Sequence, residues 1–347
     1  MLFYGDMDMK KAATIRDVAK ALGVSVSTVS RVMNGQDRVS NEMRKKVSDT
    51  VRRLHYVPSH AAVSVVKKQT RIIAVLLPDL QTPLYSGILE GIEQTARAKG
   101  YFTMVVLTNG SRDEEQRFIK STMGHSVDAI AAVPCSPDLS HFYSFSKPSV
   151  FIEHVGDDAD CDSVAIDNFR GAYLATDHLL HMGHSKVAII SGDRTFSAGQ
   201  ERYRGFEQAL RARQTKINLQ YVCAGGWAEK DGYAAAFRLM NLSDPPTAIF
   251  AAGEQLCRGA ILAVHDLKLR IGKDISLIGF EDNDLARVSN PAVTVISRPT
   301  AEMGKIAAGI LVERILAGTP PVVRQKVSLP PRLVIRGSVR EINGPGL

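Results

Sequence analysis

Residues 14–33 read TIRDVAKALGVSVSTVSRVM. Apolar Ile15, Val18, Ala19 and Leu22 recur at helical spacing and Gly23 interrupts the run, so a first helix with one apolar face stops at a turn or left-handed residue. Thr14 with Asp17 three residues later forms a variant of the capping box, and Asp17 suits the positive end of the helix dipole. Ser25 is a good N-cap for a second helix reaching Met33. Val29, Val32 and Met33 then face the first helix, while Val26, Ser27, Ser30 and Arg31 lie outside. Two short helices crossed over a three-residue turn make a helix-turn-helix, whose second helix fits the major groove of DNA. A third helix, from Asn41 or Glu42 to Leu54, puts Met43, Val47, Val51 and Leu54 on one face and Arg44, Lys45, Lys46, Arg52 and Arg53 largely outside. Read alone, this periodicity also describes a generic helical hairpin with solvated charges.

Charge distribution favours the DNA-binding reading. Of 43 Lys and Arg and 36 Asp and Glu in 347 residues, 13 and 6 fall in residues 1–70, and the remainder balances at 30 of each. The whole excess of +7 therefore sits on the candidate DNA-binding end, where it would release counterions from phosphate and make binding strongly salt-dependent. Hydrophobic content of 45% with 23% charged residues describes a globular chain long enough for two or three domains. Cys135, Cys161, Cys223 and Cys257 form no CxxC pair or zinc spacing, which reads as reduced thiols. The opening MLFYGDMDMK lacks the basic start and apolar run of a signal peptide, and no 18-residue apolar stretch follows. A cytoplasmic protein without membrane contact is expected, with Met7 or Met9 as alternative starts.

From Arg71 onward, apolar runs of strand length alternate with amphipathic helices. Strands are expected at 72–77, 102–107, 129–133 and 150–153, with helices near 85–99, 114–124 and 139–145. After Asp167 a second series begins, with helices at 170–182, 200–212, 228–241 and 254–267 and strands at 187–191, 221–224, 248–252 and 276–280. This alternation implies parallel sheets covered on both faces. A helix at 299–317 and the strands after it would return to complete both halves, leaving the crossovers as the hinge of a clamshell.

The run TIRDVAKALGVSVSTVSRVMNG, Val39-Ser40 and LHYVPSHAA from Leu54 resemble, in order and spacing, the headpiece of the lactose repressor family of bacterial transcription regulators. LLPDLQTPLYSGILEGIE, VAIDN, LLHMGHSKVAIISG, ERYRGF, PTAIFAAG, ISLIGFED and LPPRLVIRGS follow the family's effector domain, which is similar to periplasmic sugar-binding proteins. The resemblance spans about residues 13–338. It implies an α/β protein: a three-helix helix-turn-helix headpiece plus hinge, then a two-subdomain periplasmic-binding-protein-like body of doubly wound parallel sheets. The expected division is a tail at 1–13, headpiece 14–57, hinge helix or linker 58–70, effector-binding and dimerisation domain 71–338, and a tail at 339–347. The two subdomains would be roughly 71–166 plus 300–328 and 167–299 plus 329–338.

The resemblance also implies sites. Base-reading side chains would be Val26, Ser27 and Arg31. The Arg31 guanidinium can pair bidentately with guanine O6 and N7, worth about 1–3 kcal/mol of discrimination, or it can contact phosphate alone. Thr14, Ser25, Thr28 and Asn34 are expected as capping residues and phosphate-positioning donors. In the hinge, PSHAAVSVVKKQT, the family pairs a short helix with its dimer mate and wedges an apolar side chain into the minor groove. Here Val65 stands where leucine is usual and Val63 where arginine is common, so the wedge is shorter and its anchoring weaker. Effector contacts implied are Leu84 and Tyr85 after the first strand, Glu153 and Asp167, Arg202, the single Trp227, and Glu281. Carboxylates and an arginine around an aromatic face suit a polyhydroxy ligand such as a sugar or sugar derivative. Two departures matter: Gly253-Glu254 replaces a common Asn-Asp, and Glu281 replaces a common aspartate.

No cofactor is expected beyond a small-molecule effector, and no metal. His178, His181 and His184 spread around a helix end that Gly183 interrupts, and no GxGxxG, Walker or GxSxG motif occurs in the required context. The expected protein is a homodimeric regulator, a repressor in the sense of the family, binding a pseudo-palindromic double-stranded operator under effector control. The tail GSVREINGPGL has no leucine heptad to make a tetramer. The competing readings are an α/β sugar- or nucleotide-acting enzyme, or a solute-binding protein whose DNA-binding domain no longer responds to ligand.

Overall fold

The computed structural model describes residues 13–33, 39–56, 69–121, 126–153, 160–318 and 323–342. The chain divides into two units, residues 1–70 and 71–347.

In the first unit, α1 (Ile15–Leu22) starts from Thr14. The Asp17 N–H donates to Thr14 Oγ1, and the Thr14 N–H and hydroxyl both donate to Asp17 Oδ2, at 2.8 and 2.7 Å. Gly23, at φ 67°, ends the helix in the left-handed region, where a side chain would be strained. The Val24 N–H returns to the Ala19 carbonyl and tightens the turn. Then α2 (Val26–Met33) and α3 (Asn41–Arg53) enclose a core of Val18, Ala19, Val29 and Val47, with Ile15, Leu22, Val32, Met43, Val51 and Leu54 around it. Met33 does not join them. At 38% exposure it lies outside the helix contact expected for it, because Val29 and Val32 already fill that face.

The second unit contains two six-stranded sheets. The first is built from β1 (Ile72–Leu77), β2 (Phe102–Leu107), β3 (Ala129–Ala132), β4 (Ser149–Ile152), β5 (Asp162–Ile166) and β11 (Lys326–Leu329), in the order β11-β5-β4-β3-β1-β2, all parallel. The second uses β6 (Val187–Gly192), β7 (Val222–Ala224), β8 (Ala248–Ala251), β9 (Ser276–Phe280), β10 (Thr294–Ser297) and β12 (Arg332–Val334). Its order, β12-β10-β9-β8-β6-β7, repeats that of the first sheet, but β12 runs antiparallel to β10.

Helices cover both faces of each sheet. On the first, α4 (Pro83–Ala98) and α11 (Thr300–Ala317) bury Ile88, Ile92, Met303 and Leu311 against Ile73, Val75 and Ile152, and α5 (Arg112–Lys120) covers the opposite face with Phe118 and Ile119. On the second, α6 (Asn168–His181) and α7 (Ser197–Ala212) pack against Ile189, Phe250 and Phe280, while α8 (Glu229–Met240) and α9 (Glu254–Asp266) cover the other side. A short α10 (Asp284–Val288) lies between β9 and β10. Each fully buried aliphatic or Phe side chain contributes about 1.5–3 kcal/mol, and both faces are apolar, which explains the uninterrupted runs at 72–77 and 187–190.

Three chain segments pass between the halves: β5 to α6 at Asp167, β10 to α11 at Arg298-Pro299, and β11 to β12 at residues 330–331. The Asp167 N–H donates to the Leu329 carbonyl at 2.9 Å, tying two crossings together. Strands β5 and β10, beside these crossings, were not among the strands expected from sequence. Each has only four or five residues and pairs on one side with the preceding strand and on the other with a strand from the end of the chain, β11 or β12.

Candidate functional site

In the headpiece unit, Ser25, Val26 and Ser27 at the start of α2 and Arg31 one turn later are exposed, Val26 to 41%. The Ser25 hydroxyl accepts the Thr28 N–H at 3.2 Å and lies 2.8 Å from Ser27 Oγ and 2.9 Å from Thr28 Oγ1. Three hydroxyls thus gather at the positive end of a helix dipole, the end that favours phosphate. Arg31 is on the same outer surface as Val26 and Ser27, within reach of whatever that helix end meets. Lys45, Lys46, Arg52 and Arg53 of α3 are exposed as well. Thr14 is exposed, but its hydroxyl is engaged by Asp17. Asn34 and Val65, with hinge residues 58–68, lie outside the described residues.

In the body, the carboxyl ends of the strands of both halves converge on one cleft of about 400 Å³, the position open α/β sheets reserve for ligands. Five of the seven sequence-expected contacts line it: Leu84, Tyr85, Glu153, Arg202 and Trp227. Asp167 does not. Its Oδ1 accepts the Arg170 N–H at 2.8 Å, so the carboxylate is spent as the N-cap of α6. Glu281 is also outside the lining, buried behind Arg298, whose Nε and Nη2 donate to Glu281 Oε2 at 2.7 and 2.6 Å.

The two glutamates occupy matching places. Glu153 follows β4 and Glu281 follows β9, the third strand of each sheet order, and both have positive φ, 59° and 103°. Such backbone is strained for a residue with a Cβ, and strain of this kind gathers at functional sites. Arg298 follows β10 and comes within 3.8 Å of Glu153 Oε2, so one buried guanidinium faces the glutamates of both halves. Arg202 donates through Nε to Asn168 Oδ1 at 2.7 Å and through Nη1 to the Ala252 carbonyl at 2.8 Å, with its guanidinium 3.8 Å from the Phe280 ring centre. Burial, and then the nearby Arg298 charge, push its pKa down to about 9. Burial pushes Tyr85 upward, with Asp79 adding to the shift.

Trp227 sits beside Gly192 and Gly253. A Cβ at Gly192 would fall 2.6 Å from the indole, and one at Gly253 would fall 3.2 Å from it. The Gly253-Glu254 departure therefore has a local cause: the missing side chain makes room for the indole, and Glu254 turns into the lining. Its Oε1 accepts from Asn283 Nδ2 at 3.2 Å, and burial raises its pKa, with Glu281 adding repulsion.

Arg298, Glu254, Asp79 and Cys135 are lining residues that sequence reasoning did not select. A signal for Arg298 existed: it ends the apolar run VTVIS as Asp167 ends VAI, so recognising the repeated strand order would have marked it. His184 proves to be a packing residue, bonded to Thr247 Oγ1 at 2.9 Å and to the Arg340 carbonyl at 3.1 Å. Among the described residues no cluster of His, Cys, Asp and Glu has metal-holding geometry, and no helix is long and apolar enough to cross a membrane.

Comparison with known proteins places this geometry in context. Residues 14–59 match the family described as bacterial regulatory proteins, lacI family, and residues 176–339 match the periplasmic binding protein-like domain. The HTH-type transcriptional repressor PurR of Haemophilus influenzae is 32% identical over 335 residues, covering 95% of this chain and 99% of that protein. The ribose operon repressor of the same organism is 31% identical over 332 residues, covering 94% and 98%. Among solved structures, the lac repressor dimer bound to operator and the anti-inducer ONPF is similar with a TM-score of 0.83 at 24% identity, covering 95% of this chain and all of that one.

Proposed function

Because this chain belongs to the lacI family of bacterial regulatory proteins, and so is a DNA-binding transcriptional regulator with an effector-binding body and not an enzyme, we propose how its own residues divide the work. Residues 14–57 act as headpiece, 58–70 as hinge and 71–338 as effector and dimerisation domain, working in the cytoplasm. Val26, Ser27 and Arg31 read base edges, while Thr14, Ser25 and Thr28 fix the helix on phosphate. Leu84, Tyr85, Glu153, Arg202 and Trp227 contact a sugar or sugar derivative, with Glu281 orienting Arg298 behind them.

The carrying observation is the cleft between two sheets of the same strand order, with Arg298 facing a glutamate from each half. A ligand seated there touches both halves, so it favours one closure angle over another and shifts the population of dimers whose hinges are spaced for an operator. The test is a thermal-shift screen of the full chain against sugars, sugar acids, sugar phosphates and nucleobases. A ligand at 100 times its Kd adds about 2.7 kcal/mol of stability. Failure of every sugar derivative to raise the melting point, with a nucleobase succeeding, would reject the carbohydrate assignment.

A further inference from the structure

The charges around the cleft do not balance. In the lining Asp79, Glu153 and Glu254 oppose Arg202 and Arg298, an excess of one acid, and Glu281 adds a second from behind Arg298. Arg298 is held by Glu281 at 2.6 Å, and Arg202 gives its Nε to Asn168 and its Nη1 to the Ala252 carbonyl. Asp79 is satisfied by its own loop, accepting from the Gln81 and Thr82 N–H groups and the Thr82 hydroxyl.

Glu153 is different. It is 1% exposed and lines the cleft, yet among the described residues neither carboxylate oxygen accepts a hydrogen bond. Its nearest cation, Arg298 Nη1, stands at 3.8 Å, beyond hydrogen-bond distance. From the other half of the cleft, Glu254 Oε2 is buried and likewise lacks a donor among the described residues. A buried carboxylate without donors is destabilising, and native folds keep such a group where something else must satisfy it. Neutral hydroxyls would supply hydrogen bonds but leave the charge excess, whereas a phosphate or carboxylate would enlarge it. An ammonium supplies three donors and one positive charge.

We propose that the effector is a polyhydroxy small molecule bearing a protonated primary amine, whose ammonium sits against Glu153 with Glu254 as the second carboxylate, and that sugar phosphates and sugar acids are excluded. This inference rests on the cleft being the effector site.

The experiment is calorimetric titration of the full chain at pH 7 with matched sets. Glucosamine, galactosamine and mannosamine are each compared with the neutral parent hexose, the N-acetyl derivative and the 6-phosphate. A charge-assisted hydrogen bond to a buried carboxylate predicts that one amine binds at least about tenfold tighter than its parent and its N-acetyl form, with the 6-phosphate weaker than the parent. Glu153→Gln keeps the shape and brings amine and parent to within about threefold of each other, and Glu254→Gln reduces the preference by a smaller factor. A parent sugar or 6-phosphate binding as tightly as its amine, or an amine preference unchanged in both variants, overturns the proposal while leaving the cleft as a sugar site. Binding by no member of any set overturns both.

Discussion

Replacing Arg298 with Met tests whether the buried ion pair organises the cleft. The substitution keeps an unbranched apolar stem but removes the guanidinium, which is 5% exposed and held at 2.6 Å from Glu281 and 3.8 Å from Glu153. Both glutamates then lose their paired cation, and among the described residues Glu281 keeps only the Asp282 N–H at 3.3 Å as a hydrogen-bond donor. Removing one partner of a buried pair costs about 3–5 kcal/mol. At about 2–4 °C per kcal/mol for a domain of this size, the melting point should fall by roughly 10 °C. Trp227, the only tryptophan, lies in the cleft, so its fluorescence during urea unfolding at pH 7 reports on the body alone. Adding Glu281→Gln to the Arg298→Met background should recover about half of the loss, because the more tightly paired of the two stranded carboxylates is gone while Glu153 remains. A loss below about 1 kcal/mol, or no recovery in the double variant, would refute the ion-pair argument.

Burial holds the His184 imidazole at a pKa of about 4, below its ordinary 6.5, so its contribution is fully present above pH 6.5 and is lost as pH falls toward 4. That amounts to about 3 kcal/mol, and unfolding of His184→Gln at pH 7 and pH 4.5 should show the flatter profile. Glu254 has the opposite sign. Its raised pKa makes its contribution favourable below pH 4.5 and unfavourable as pH rises, so Glu254→Gln should stabilise the free protein at pH 7 and lose that advantage near pH 4, as melting curves at the two values would show. Arg31→Ala should reduce the preference for operator over random DNA by about 1–3 kcal/mol at fixed salt, measured by competition binding, while leaving the random-sequence affinity nearly unchanged.

The parts of the fold legible in the sequence are those whose cause is local. Thr14 and Asp17 sit three residues apart and cap α1 reciprocally, and Gly23 ends it, so the helix bounds follow from neighbours in the chain. Strands β1, β2 and β9 match their expected limits because each is a predominantly apolar run. The lacI-family assignment was readable for a different reason, the order of many motifs along the whole chain. Where causes are distant, the reading stopped. β5 and β10 are short and each takes one neighbour from the end of the chain, and Arg298 acquires meaning only from Glu281 and Glu153, which the fold brings together. Asp167 shows the converse. A carboxylate at a strand end carries the same local signal whether it faces a ligand or caps the next helix, and here the Arg170 N–H decides the matter.

Reciprocal coupling between cleft and DNA is the central claim. A duplex bound by the full chain can be selected from a random pool, and its Kd then measured by fluorescence anisotropy at one fixed salt concentration, with and without a saturating cleft ligand. The account predicts a pseudo-palindromic site whose Kd changes by about 5- to 150-fold when ligand is present, in either direction, corresponding to roughly 1–3 kcal/mol of coupling. An operator Kd that is the same with the cleft empty and saturated would contradict it.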